Sequence, residues 1–199
     1  MVQYLQYLVF AGAAAQLFGI ISYAKETLKG NTKPNRVTWL LWSIAPLIAA
    51  FAALSDGIGL SVVPVFMSGI APSIVFFASF ANKRSYWKLG KFDYLCGLCS
   101  ALALILWAIT KQPVVAIVFS IMSDGLAGLP TLIKAWKYPE TETIHAYIGG
   151  LFGSLTSFFA IKAWSFAGAA FPVYLATLNS LLIISICRKK IIGPFAGRR

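Results

Sequence analysis

A chain of 199 residues with 59% hydrophobic and only 12% charged side chains departs from soluble domains, where about 25% of residues are charged. Mean hydropathy of +0.77 with 15% aromatics points to an integral membrane protein with room for one compact domain and no sizeable soluble one. The net charge of +11 is parcelled into short loops, which excludes a contiguous basic surface for nucleic acid and fits the loop-charge bias of membrane proteins.

Apolar runs separated by polar turns predict seven spans, near 4–24, 37–55, 59–82, 92–110, 113–135, 143–163 and 167–187. The opening MVQYLQYLVF has no basic stretch ahead of it, so the first run reads as a span and not as a cleaved signal. It carries one polar residue near its middle, Gln16, and ends in a basic turn holding Lys25, Lys29, Lys33 and Arg36. The second span opens with Trp39 and Trp42 and contains Pro46; the third contains Ser68 and Pro72 and is followed by Lys83, Arg84, Lys88 and Lys91. Cys96 and Cys99 in the fourth span, with Cys187, read as small packing residues. A single histidine, His145, leaves no zinc-type ligand set, so neither a metal nor a cofactor is expected.

The fifth span holds Asp124, with no other charge within nine residues on either side, and Pro130. A carboxylate at the bilayer centre costs roughly 2.5–3.5 kcal/mol on insertion scales, so such a residue normally faces the bundle interior. Burial favours its neutral form, which makes Asp124 a candidate to take up and release a proton. The competing readings are a polar contact to a solute and a structural hydrogen bond to another helix. The sixth span carries a GxxxG, Gly149 to Gly153, which predicts a close-packing face. The seventh carries Asn179 beside Thr177 and Ser180, an amide suited to a hydroxylated or amino solute or to an interhelical hydrogen bond. Ser68 is a weaker candidate of the same kind, and Ser120 and Ser123 weaker still, because serine commonly bonds its own backbone.

Pro46, Pro72 and Pro130 each remove a backbone hydrogen bond and are candidate hinges, or plain packing residues. The six tryptophans sit mostly at span ends, where belt anchoring explains them; Trp39 and Trp42, next to a basic loop, are also candidates for a gate. Fifteen of the seventeen basic residues follow the odd-numbered spans, with Lys111 and Lys162 the exceptions. This places the N-terminus outside and the C-terminus in the cytoplasm of a cell membrane. The tail CRKKIIGPFAGRR reads as a stop-transfer cluster, with a partner or anionic lipid as the alternative.

A repeat overlays the chain. Gln16 to Trp39 aligns on Asp124 to Tyr147 at an offset of 108 residues, with Gln16 on Asp124, Ser22 on Pro130 and Phe51 on Phe159. Each copy is an apolar helix with one mid-helix polar residue, a polar turn and a second apolar helix. The expected fold is all-α: two parallel three-helix bundles (residues 1–85 and 112–190) joined by a linker helix (86–111), a 3+1+3 plan ending in a basic tail at 191–199.

Leu129-Pro130-Thr131-Leu132, with Ile133 and Lys134, resembles the Pro-Thr or Pro-Gln signature of the SWEET and PQ-loop superfamily of seven-helix transporters. Lys137-Tyr138-Pro139-Glu140-Thr141 occupies the place of that family's basic turn, and Gly30-Asn31-Thr32-Lys33 with Val37-Thr38-Trp39 fits it in the first half, where Ser22 replaces the proline. The resemblance implies that Asn179 and Trp164 are solute contacts; at the position paired with Asn179 the chain has Ala71. It further implies a carrier for a sugar or other small metabolite that alternates access to a midplane cavity touched by Gln16, Asp124, Asn179, Ser68 and Trp164. The alternative is a receptor or scaffold of the same fold that moves nothing. No HExxH, GxSxG or paired membrane aspartates appear, so no enzyme is expected. The oligomeric state stays open, a homo-oligomer included.

Overall fold

The computed structural model describes residues 2–110, 112–162 and 164–196, and the side chains of all of these but 2–3, 107–108 and 189–196. Lys111 and the side chains of the basic tail lie outside the described residues. After a short helical turn, Val2–Leu5, seven longer helices follow: α1 Leu8–Lys29, α2 Arg36–Ser55, α3 Val63–Ala78, α4 Lys91–Thr110, α5 Pro113–Lys137, α6 His145–Phe158 and α7 Phe166–Ala196. No strand occurs among the described residues. Five of the helices are long and apolar enough to cross a membrane: α1, α2, α3 with its leading turn from Leu60, α5, and α7 as far as Arg188. The chain is thus an all-α, multi-pass membrane protein.

Several predicted spans differ from the helices found: α3 covers Val63–Ala78 where 59–82 is predicted, α7 runs past the predicted 187 to Ala196, and α1 and α6 depart as well. α1 runs to Lys29 rather than to residue 24, because Lys25, Glu26 and Lys29 are good helix formers whose charges need only leave the bilayer, not the helix. It stops at Gly30, in the left-handed region at φ 86°, where the amides of Gly30 and Asn31 return to the carbonyls of Thr27 and Glu26. α6 has fourteen residues in place of the predicted twenty-one. At about 1.5 Å per residue that is well short of a bilayer core of about 30 Å. Its last turns carry Ser154 and Thr156, whose hydroxyls bond carbonyls of their own helix, and the Phe159 and Ala160 amides close shorter three-residue turns.

Neighbouring helices are fixed by named contacts. α1 packs on α3 and α6, α2 on α3 and α5, α5 on α4 and α7, and α6 on α7. The α1–α6 seam is built from glycine: a Cβ added to Gly149 would lie 2.5 Å from the Ala15 carbonyl oxygen. The GxxxG is therefore a close-packing face within the chain. α2 and α5 are joined by Thr38, which donates to the Ala127 carbonyl at 2.6 Å and accepts from Thr131 at 3.0 Å. Asn35 caps α2 through the Val37 and Thr38 amides and also donates to Asp93 at the start of α4 at 2.5 Å. Ser100 of α4 meets Ser123 of α5 at 2.7 Å, which accounts for Ser123 structurally.

The loops after α1, α3 and α5 gather at one end of the bundle, together with Arg188. We call this the basic end. Two packed clusters fill the interior. One, around Tyr23, Trp39, Trp42 and Tyr147, lies toward the basic end; the other, around Ala49, Ala53, Ile117 and Phe171, lies toward the far end.

Candidate functional site

A cavity of about 70 Å³ is lined by residues of α1, α2, α3, α5, α6 and α7. The four polar residues expected there, Gln16, Ser68, Asp124 and Asn179, all line it, with Pro46, Pro72, Trp39 and Trp42. They arrive from four helices, so the polarity of the site exists only when the bundle is assembled.

The hydrogen bonds decide which polar atoms remain for a solute. Ser68 donates its hydroxyl hydrogen to the Pro64 carbonyl at 3.0 Å and accepts from Gln16 Nε2 at 3.2 Å. A hydroxyl has one hydrogen to give, so Ser68 acts toward Gln16 only as an acceptor. That orients the Gln16 amide and leaves its Oε1, which is buried with no hydrogen-bond partner. Asp124 is 1% exposed. Its Oδ2 accepts from the Tyr174 hydroxyl at 2.7 Å, while Oδ1 is buried and unpartnered. Asn179 donates to the Leu175 carbonyl one turn back at 2.8 Å, and its side chain lies against Gly150, where a Cβ would sit 2.5 Å from Oδ1. Trp42 spends its indole N–H on the Asp124 carbonyl at 3.1 Å.

Other expected site residues fall elsewhere. Trp164 is 67% exposed and absent from the cavity wall; its ring lies 5.8 Å from that of Phe158 at the end of α6. An exposed ring of this kind fits an interface anchor. We expect Trp164→Ala to change stability by no more than about 0.5 kcal/mol, the small effect usual for a surface position; a large drop in melting temperature would show that the ring is packed in the fold. Pro130 is buried inside α5 but does not line the cavity. Ser120 is buried without lining it. Trp39 and Trp42, by contrast, are buried at 1% and 7% exposure rather than anchored in a belt. Their rings pack edge to face at 5.4 Å, with Tyr23 and Tyr147 against them at 4.8 and 6.5 Å.

Between this aromatic layer and the basic end lies a buried polar knot. Lys134 Nζ meets Glu142 Oε1 at 2.5 Å and donates to the Lys33 carbonyl at 2.5 Å; the two side chains are 1% and 0% exposed. Glu142 Oε2 accepts from the hydroxyls of Tyr23 and Tyr147, at 2.8 Å each. Trp87 lies under the ammonium at 5.1 Å. Sequence reasoning missed this knot, and also Tyr174. Lys134 was indistinguishable from the other loop cations. The available signal was scarcity: a chain with six acidic residues gives each one a partner worth seeking.

No family model, curated protein or solved structure matches the chain. The functional reading therefore rests on the geometry of the cavity.

Proposed function

We propose that this protein is a membrane carrier that moves a small polar solute by alternating access through the cavity, between two parallel three-helix units, α1–α3 and α5–α7, joined by α4. The observation that carries the proposal is the way the 108-residue repeat falls on the cavity. Gln16 and Asp124, Trp39 and Tyr147, Trp42 and Gly150, Met67 and Leu175, and Ala71 and Asn179 are related by that offset, and both members of every pair line the same space. Lys33 and Thr141, related in the same way, meet directly: the Lys33 amide donates to the Thr141 carbonyl at 3.0 Å. Equivalent residues that share a wall or touch are what a two-fold axis through the cavity would produce.

The packing partners support the same plan. Exchanging α1, α2 and α3 for α5, α6 and α7 turns α1–α3 into α5–α7, α2–α3 into α6–α7 and α1–α6 into α5–α2, and all six contacts occur. α1 and α5 both run toward the basic end, in favour of parallel rather than inverted halves. A SWEET-like carrier in a cell membrane, with the N-terminus outside and the basic end in the cytoplasm, fits this arrangement and the loop charges. Asp124, whose side chain is hydrogen-bonded to Tyr174 alone among the described residues, is the residue we assign to solute contact and to any proton coupling.

The test is uptake of radiolabelled monosaccharides, disaccharides, amino acids, amines and nucleosides into proteoliposomes, with and without an inward proton gradient, for wild type and Asp124→Asn. Gradient-stimulated uptake lost in the variant is the expected result for a coupled carrier, with a drop of roughly tenfold or more, the effect of removing one charge-assisted contact. Uptake indifferent to the gradient leaves a facilitator. Absence of uptake for every solute, from folded protein, turns the reading to a receptor or scaffold.

A further inference from the structure

The chemistry of the cavity wall narrows the class of solute. We infer that the cavity takes a small organic amine in its ammonium form, held by Asp124 and Gln16 against the aromatic faces at the basic end of the space. The inference rests on the cavity being the solute site, as proposed above.

Three observations carry it. First, charge: among the described residues Asp124 is the one charged residue on the wall, and no lysine, arginine or histidine lines the space. Among the described residues the buried Lys134 is bound to Glu142, so it is not the counter-charge of Asp124. A bound ammonium supplies the counter-charge that lets a buried carboxyl ionise, whereas a carboxylate or phosphate on the solute finds no cation on the wall to offset its own burial. Second, hydrogen bonding: among the described wall residues the buried side-chain oxygens without a partner are Gln16 Oε1, an acceptor as the Ser68 contact orients the amide, and Asp124 Oδ1, an acceptor when the carboxyl is ionised. Against them stands one buried indole donor without a hydrogen-bond partner, Trp39 Nε1, while the Trp42 indole is already engaged by the Asp124 carbonyl. A sugar hydroxyl presents as much acceptor as donor, but an ammonium presents donors alone. Third, shape and polarisability: Trp39, Trp42 and Tyr147 line the same space, and aromatic faces attract cations most strongly where water is excluded.

The Gly150 position adds a size limit. Its missing side chain makes room for the Asn179 amide, whose Oδ1 lies 2.5 Å from where a Cβ would sit, so this stretch of wall is already filled and the space left for the amine is smaller by that much.

The test measures binding separately from flux. Full-length protein in detergent is titrated with n-propylammonium chloride, propionamide and sodium propionate at constant ionic strength, with tryptophan fluorescence and calorimetry as readouts. Trp39 and Trp42 on the wall make the emission sensitive to occupancy. Saturable binding of propylammonium alone, weakened roughly tenfold or more by Asp124→Asn, is the expected result. If Asp124→Asn does not fold, the comparison of the three probes on wild type still decides. Propionamide or propionate binding as tightly as the amine overturns the inference, as does amine affinity unchanged in Asp124→Asn, or folded wild type that binds no amine. Uptake of a neutral solute into proteoliposomes, with no amine binding, sinks this inference and keeps the carrier. Amine binding without flux of any solute supports this inference and sinks the carrier.

Discussion

Gly149→Leu is expected to yield no well-folded protein, or a detergent-solubilised species whose melting temperature falls far below wild type. Across the seam from Gly149 is the backbone of α1: an added Cβ would meet the Ala15 carbonyl oxygen at 2.5 Å and the Gln16 Cα at 3.1 Å. Overpacking a core costs about 1–3 kcal/mol when side chains can turn aside. Backbone cannot, so two whole helices must separate, and the cost lies at or above the top of that range. Separation also moves Gln16, which packs against Gly153 in the same seam, so in any surviving protein the Gln16–Ser68 contact should be disturbed as well. Gly59→Ala is the control. A Cβ there meets nothing within 4 Å, and its melting temperature should match wild type. Equal melting of Gly149→Leu and wild type would mean that α1 and α6 are not in contact.

The second large effect concerns the buried knot at the basic end. Glu142→Ala and Lys134→Ala should each destabilise by about 3–5 kcal/mol, the cost of leaving one charge of a buried pair without its partner. The Glu142 variant also strips the acceptor from the Tyr23 and Tyr147 hydroxyls. The Lys134 variant leaves Glu142 with two tyrosine hydrogen bonds and no cation. Lys134→Met combined with Glu142→Leu removes both charges at similar volume and should recover most of the loss, because the desolvation penalty disappears with them. Denaturation of the singles and the double, taken as a cycle, checks this. Strictly additive losses would show that the two residues do not interact. The knot ties the turn after α5 to α1, to α6 and to the loop after α1, between the aromatic layer and the basic end.

Much of this architecture was legible in the chain because the bilayer leaves few choices. A run of apolar residues must form a helix to satisfy its own backbone, so helix number and order follow from composition and turns alone. Asp124 stood out because an isolated carboxylate has no cheap place in a membrane, and Gln16 because the repeat set it on the same position. Lys134 shows where that logic ends. Loop bias explains a cation at a helix end well enough that nothing in the sequence marked it as buried, and its partner Glu142 is eight residues away across a turn. Tyr174 was equally hidden, since a tyrosine in an apolar helix reads as bulk until its hydroxyl is seen to reach Asp124 at 2.7 Å. Trp164 and Trp42 illustrate the opposite failure. Both sit near span ends in the sequence, but Trp164 is exposed while α2 turns Trp42 inward against Gly128, at 3.2 Å from a Cβ placed there.

The sequence by itself determined the solvent this protein lives in, the number and order of its helices, and the residues whose polarity is costly enough to require a use. Those follow from local physics: hydropathy, backbone hydrogen bonding and the penalty for a charge in hydrocarbon. Only the tertiary structure decided that Gln16, Ser68, Asp124 and Asn179 face one space, which of their atoms are already spent on neighbours, and that Lys134 and Glu142 pair behind an aromatic layer. Those depend on the rotation of each helix about its axis, which is set by glycine seams and side-chain contacts between segments up to 119 residues apart, as for Tyr23 and Glu142.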